Sequence, residues 1–180
     1  VEFVFRVSMC RSQLRTTPGK SHLAVASSWY THHELEPLQR TSVSVSGAEL
    51  PGSDQPSIEL RTNSLGLRGP EIRIPKPVDT LRIVCLGDEA VLAAAIDEPQ
   101  TFCQLVQARL QARSARRIEV INAGVPDFCP LLSYLQVRHR LLILNPDVIV
   151  AHLDMSDVWD DRRFRRLTEL GAHEEPLLCA

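Results

Sequence analysis

The stretch that most limits what this chain can fold into is Leu81-Arg-Ile-Val-Cys-Leu86, which runs straight into Gly87-Asp88-Glu89. Five of those six residues are apolar. A strand covered on both faces reads this way, and such strands belong to parallel sheets layered between helices. In open α/β sheets, ligands and chemistry collect at the carboxyl ends of the strands. A candidate site is therefore expected at Gly87, Asp88 and Glu89.

The rest of the chain repeats the theme. Thr101-Phe-Cys-Gln104 is a capping-box pattern, and Phe102, Leu105, Val106 and Leu110 follow at helical spacing, predicting one apolar helix face. Ile118-Glu-Val-Ile121 is a second strand ending in Asn122-Ala-Gly124. Leu131, Leu135, Arg138 and Leu142 again keep helical spacing until Asn145-Pro146 stops them. Asp147 to Leu153 is a third buried strand, opening into Asp154-Met-Ser-Asp157, and Asp160 to Leu167 is charged and predicted helical. Strand, helix, strand, helix, strand with right-handed crossovers gives a parallel sheet wound with helices. Three loops then meet at its carboxyl edge: Gly87-Asp88-Glu89, Asn122-Ala123-Gly124 and Asp154-Met155-Ser156-Asp157.

Upstream, residues 1–60 are rich in Ser, Thr, Pro and Gly and read as an irregular extension that packs on the domain only in part. Within it, Val1 to Val7 is a short strand or the end of a helix. Thr41 to Ser46 alternates as an exposed strand, and Pro51-Gly52 and Ser53-Asp54 mark turns. Ile58 to Thr62 is a further strand, Asn63 to Gly69 a shaped turn, and Pro75 and Pro77 a stiff lead into residue 81.

Composition narrows the function classes. Twenty basic against 22 acidic residues and 5% aromatics leave no electrostatic or stacking footprint for nucleic acid. Five scattered cysteines without a C-x-x-C spacing argue against a metal knuckle, a redox motif or a disulfide framework; Cys85 and Cys103 read as small buried hydrophobes. No apolar run reaches the roughly 18 residues of a membrane span. No cofactor is implied.

The three loops, in this order, resemble the SGNH (GDSL-type) hydrolases. That family carries Gly-Asp-Ser after its first strand, a glycine often within Asn-Ala-Gly after its second, and Gly-x-Asn-Asp after its third. Arg61-Thr-Asn-Ser-Leu-Gly-Leu-Arg-Gly69 is similar to the lead-in of many bacterial members. The resemblance covers residues 61 to 165. It implies a flavodoxin-like sheet with helices on both faces, and hydrolysis or transfer of acyl groups on small esters, lipids or acetylated carbohydrate. It also implies roles: Glu89 stands at the nucleophile position, and Gly124 and Ser156 at the oxyanion-hole positions. Gly87, Asp88, Asn122, Asp154 and Asp157 would shape the surrounding loops.

The residues themselves break that chemistry. Glu89 replaces the serine, and a carboxylate is a poor acyl nucleophile. Ser156 replaces an asparagine amide, and Asp154 sets a negative charge where an oxyanion would develop. No Asp-x-x-His follows Asp157. The domain over 61–170 thus reads as a partial one, cut after its third strand, with an unstructured tail over 171–180 from truncation or a frameshift. A sheet so cut predicts an exposed edge and self-association.

Three functions stay open: an inactive hydrolase relative serving as a ligand- or carbohydrate-binding module, an active hydrolase using Glu89, and an unrelated nucleotide-binding α/β protein. The last lacks a glycine-rich phosphate loop. Glu89, His152, Asp154 and Asp157 share no recognised metal spacing, so His152 reads as a packed or surface histidine. His32-His33 reads as a solvated turn, and Arg162, Arg163, Arg165 and Arg166 as a solvated helix face. Trp159 shields the cleft or only packs. Compartment is open, although the resemblance points toward export.

Overall fold

The computed structural model describes residues 2–3, 24–44 and 57–180. Residues 4–7, the turns at 51–54 and Cys10 lie outside the described residues. In chain order the strands are β1 (Glu2–Phe3), β2 (Val25–Ser28), β3 (His32–Leu35), β4 (Arg40–Ser44), β5 (Ser57–Arg61) and β6 (Thr80–Gly87). Next come α1 (Glu89–Leu92), α2 (Phe102–Gln111), β7 (Arg117–Gly124), α3 (Pro130–Gln136) and β8 (Val148–Ala151). The chain closes with α4 (Asp157–Arg165), β9 (Thr168–Leu170) and β10 (Pro176–Cys179).

The main sheet has the order β1-β8-β6-β7, and every pairing in it is parallel. The apolar run at 81–86 is its interior strand. Val84 and Leu86 pack toward Leu141 and Leu144, beyond α3, while Ile83 and Cys85 pack toward Cys103 of α2. Successive side chains of a strand point to opposite faces, so one run of apolar residues builds both layers. The architecture is a mixed α/β fold with a parallel sheet flanked by helices.

The polar exception in the run, Arg82, is fully buried. Its Nε donates to Glu119 Oε2 at 2.8 Å, its Nη1 to the Leu144 carbonyl at 2.6 Å and its Nη2 to the Arg73 carbonyl at 2.9 Å. A buried cation is tolerable only when its donors are met in this way.

The structure differs from the sequence-based expectation in four places, each for a physical reason. The predicted apolar face of α2 is not the packed one: Phe102, Leu105, Val106 and Leu110 are 37–48% exposed. The ridge that meets the sheet is Cys103, Gln107 and Gln111. Gln107 Oε1 accepts the Val120 N–H at 2.8 Å, and Gln111 Oε1 accepts the Ile118 N–H at 2.9 Å. An outer strand leaves backbone donors unmet, and here amide side chains meet them where Leu or Val would not.

The same contacts correct the second expectation, an exposed sheet edge. β7 is covered by these glutamines and by an antiparallel bridge from Arg68 to Asn122, and β8 is paired with β1. The cut edge expected at β8 is taken by β1, so the outermost strand on that side is the two-residue β1.

Third, residues 171–180 are not an unstructured tail. β9 and β10 pair as an antiparallel hairpin with Cys179 fully buried. The Cys179 N–H donates to the Tyr30 carbonyl at 3.0 Å, and Arg138 Nη1 donates to the Pro176 carbonyl at 2.8 Å.

Fourth, the described part of the 1–60 extension is ordered and docked. β2 and β3 form a hairpin, and β4 pairs with β5. Leu35 enters the cluster built by Phe128, Leu132, Leu135 and Phe164, and Glu34 is ion-paired with Arg140. His32-His33 is a packed pair and not a solvated turn: His33 Nε2 donates to the Pro126 carbonyl at 2.7 Å, and the rings meet Phe128 and Phe164 edge-on. With Nε2 carrying that proton, His33 Nδ1 is left to accept from His32 Nδ1 at 2.9 Å.

Among the described residues, no helix is long and apolar enough to cross a membrane.

Candidate functional site

The carboxyl ends of β6, β7 and β8 lie side by side. Gly87 pairs with Gly124, Leu86 pairs with Ala151, and the His152 N–H continues the ladder to the Leu86 carbonyl at 2.9 Å. The three predicted loops therefore meet at one edge of the sheet. Gly87 has φ +151°, and a Cβ there would come within 2.5 Å of Val91 Cγ2, so glycine is required.

Asp88 caps α1. Its Oδ1 accepts the Ala90 N–H at 2.9 Å, and the residue is buried. Glu89 opens α1 with its side chain toward solvent on one side, and its Oε1 accepts the Asp127 N–H at 3.3 Å. Crowding by the protein on its other side, with the carboxylates of Asp88 and Asp127 nearby, raises the Glu89 pKa. No histidine or lysine is hydrogen-bonded to Glu89 among the described residues.

The second loop is turned inward. Asn122 is buried, its Nδ2 donating to the Val91 carbonyl at 2.7 Å and its Oδ1 accepting the Gly124 N–H at 3.0 Å. A Cβ on Gly124 would lie 2.3 Å from the Leu92 nitrogen, so α1 sits directly on this glycine. The Gly124 N–H thus serves the loop's own closure. Arg68, in the lead-in, locks the far end of α1 by donating to the carbonyls of Leu92, Ala93 and Ile96. Sequence reading gave the Asn63–Gly69 turn a shaping role and missed this clamp. A buried-arginine role leaves no signal in a turn motif.

The third loop is the open one. Ser156 donates both its N–H and its hydroxyl to Asp154 Oδ1, at 2.7 and 2.6 Å. The Asp154 N–H donates to Asp157 Oδ2 at 2.6 Å. These bonds to Ser156 hold the Asp154 carboxyl below its ordinary range. Asp157 is buried behind it, and burial together with the charges of Asp154 and Asp88 pushes its pKa up to about 6. Trp159 is not packed: it is 72% exposed, beside the solvent-facing Arg162, Arg163 and Arg166.

Residues far apart in the sequence are gathered here. Ligand atoms of Asp88, His152 and Asp154 all lie within 4.8 Å of one another. His152 Nδ1 is 3.9 Å from Asp88 Oδ1. His152 is thus not merely a packed or surface histidine: it stands among the site carboxylates. Glu89 falls outside this trio, and Asp157 backs it from the interior.

The fold and these loops define an α/β protein with an acidic cluster of side chains at the carboxyl edge of a parallel sheet. Comparison with protein-family models and with curated proteins finds no match to this chain.

Proposed function

We propose that this chain is an SGNH-type α/β domain whose candidate site does not hydrolyse esters by the serine route and serves as a binding site. The observation that carries this reading is the fate of the two oxyanion-hole positions. The Gly124 N–H is donated to Asn122, and the Ser156 hydroxyl to Asp154. An oxyanion hole needs donors aimed at an empty position near the nucleophile, and losing even one typically costs about 2.7–4 kcal/mol of transition-state stabilisation. Here both are occupied, Glu89 stands where a hydroxyl nucleophile would, and Asp88, Asp154 and Asp157 surround the place where negative charge would build.

The order and spacing of the three loops, and the lead-in at 61–69, support the family reading. A cluster of carboxylates favours a neutral or cationic ligand over an anionic one. The competing reading, an active hydrolase built on Glu89, draws on its raised pKa. A protonated carboxyl is a general acid, yet the hydrogen bond Glu89 makes is to the Asp127 backbone N–H, and among the described residues no base is hydrogen-bonded to it.

The test is hydrolysis of a short-chain nitrophenyl ester by wild type, Glu89→Ala and Glu89→Ser, each shown to be folded by circular dichroism. The expected outcome is no turnover above buffer from any of the three. Turnover by wild type that disappears in Glu89→Ala would overturn the proposal in favour of a reworked catalyst.

A further inference from the structure

We propose that Asp88, His152 and Asp154 form a binding site for one divalent transition-metal ion. This inference does not rest on the hydrolase resemblance. It stands on the donor set, its position and the charge around it.

The donor set is mixed, one imidazole and two carboxylates, drawn from two different strand ends. Neutral imidazole and carboxylate oxygen together suit ions such as Zn²⁺ and Co²⁺. The donors have lone pairs to give. Asp88 and Asp154 each use Oδ1 to hold the backbone, through the Ala90 and Ser156 N–H groups. Among the described residues, their Oδ2 atoms and both ring nitrogens of His152 have no hydrogen-bond partner. Those same backbone bonds fix the carboxylates in orientation, as outer contacts do for metal ligands.

Charge supplies a separate argument. Asp88 and Asp157 are both buried, and Asp154 lies against them. Among the described residues, no lysine or arginine is within ion-pair distance of these three carboxylates. Buried carboxylates are normally paired or bound to a cation. Asp127 and Asp160 add to the same field. A cation placed between Asp88 and Asp154 would answer it.

Geometry requires a small adjustment. Ligands about 2.0–2.2 Å from an ion stand roughly 3–3.5 Å apart, against separations of up to 4.8 Å here. The site requires His152, whose side chain makes no hydrogen bond among the described residues, to turn toward the two carboxylates while their backbone bonds hold them. Three protein ligands leave a coordination position for water or for a ligand entering the site.

The experiment is isothermal titration of the metal-stripped full chain with Zn²⁺, followed by the visible spectrum of the Co²⁺ form. The expected result is one equivalent of Zn²⁺ bound. Affinity should fall at least about 10-fold in each of His152→Ala, Asp154→Asn and Asp88→Asn. Asp88→Asn keeps an oxygen for the Ala90 N–H, and circular dichroism confirms that each variant is folded. The Co²⁺ spectrum should show ligand-field bands without thiolate charge transfer. Absence of Zn²⁺ binding, equal affinity in wild type and all three variants, or thiolate bands from Co²⁺ would each overturn the proposal.

Discussion

The two sides of the candidate site are built on opposite plans. On the β6–β7 side, Asn122 and Gly124 are sealed under α1, and their polar groups are used up within the wall. On the β8 side, His152, Asp154 and Ser156 face outward, and the only deeply buried member is Asp157. One side is structure that happens to stand beside the carboxylates. The other keeps polar atoms available, and carries an electrostatic cost in doing so. The difference teaches that a motif position is not a function. Gly124 sits where an oxyanion donor is expected, yet its donor is spent on the fold, while His152, which matches no motif block, is unbonded and in reach of two carboxylates.

The comparison can be broken by mutation. The largest effect is expected at Asn122. Asn122→Ala strands the Val91 carbonyl and the Gly124 N–H inside the protein, each at about 1–3 kcal/mol, so urea unfolding at neutral pH should show a loss of about 2–5 kcal/mol. A loss under 1 kcal/mol would mean that this wall is not sealed.

The next effect runs in the other direction and depends on pH. Asp157 has a folded pKa of about 6, above its ordinary value. Its contribution to stability is fully present below about pH 4, where both states are protonated. It is lost as pH rises through about 6, because the unfolded chain ionises more readily. Asp157→Asn removes that loss and keeps an oxygen for the Asp154 N–H. In metal-free buffer the variant should match wild type near pH 4 and exceed it by about 1–3 kcal/mol at pH 8. A difference that stays constant across that range would contradict the assignment.

The smallest effect is expected on the open side. Ser156→Ala gives up one exposed hydrogen bond to Asp154 and should change stability by no more than about 0.5 kcal/mol. A cost comparable to that of Asn122→Ala would erase the distinction between the two sides.

Two helices show how far sequence reading reaches. For α3 the helical spacing of Leu131, Leu135, Arg138 and Leu142 named the buried face at Leu131 and Leu135, while Leu142, beyond the end of α3, is exposed. For α2 the same rule chose Phe102, Leu105, Val106 and Leu110, which face solvent. Both helices cover a sheet. α3 packs against an apolar cluster, whereas α2 crosses beside an outer strand whose N–H groups needed acceptors. Periodicity registers apolar demand only, so the demand met by Gln107 and Gln111 was not legible.

What the sequence determined by itself is the three parallel strands, their order with the helices and the glycines that end the first two; the third, β8, is shorter than its apolar run and buries only Ile149. Each follows from local pattern: runs of apolar residues, caps and turn residues whose backbone needs are intrinsic. The tertiary structure decided which donors were still available once the strands stood side by side. It turned the Gly124 N–H into the wall, brought His152 beside Asp88 across a strand pairing, docked β3 through Leu35, and covered the β7 edge of the sheet. These outcomes depend on contacts between residues distant in the chain. Hydrogen-bond satisfaction and charge proximity are properties of such contacts, which is why no stretch of sequence carries them alone.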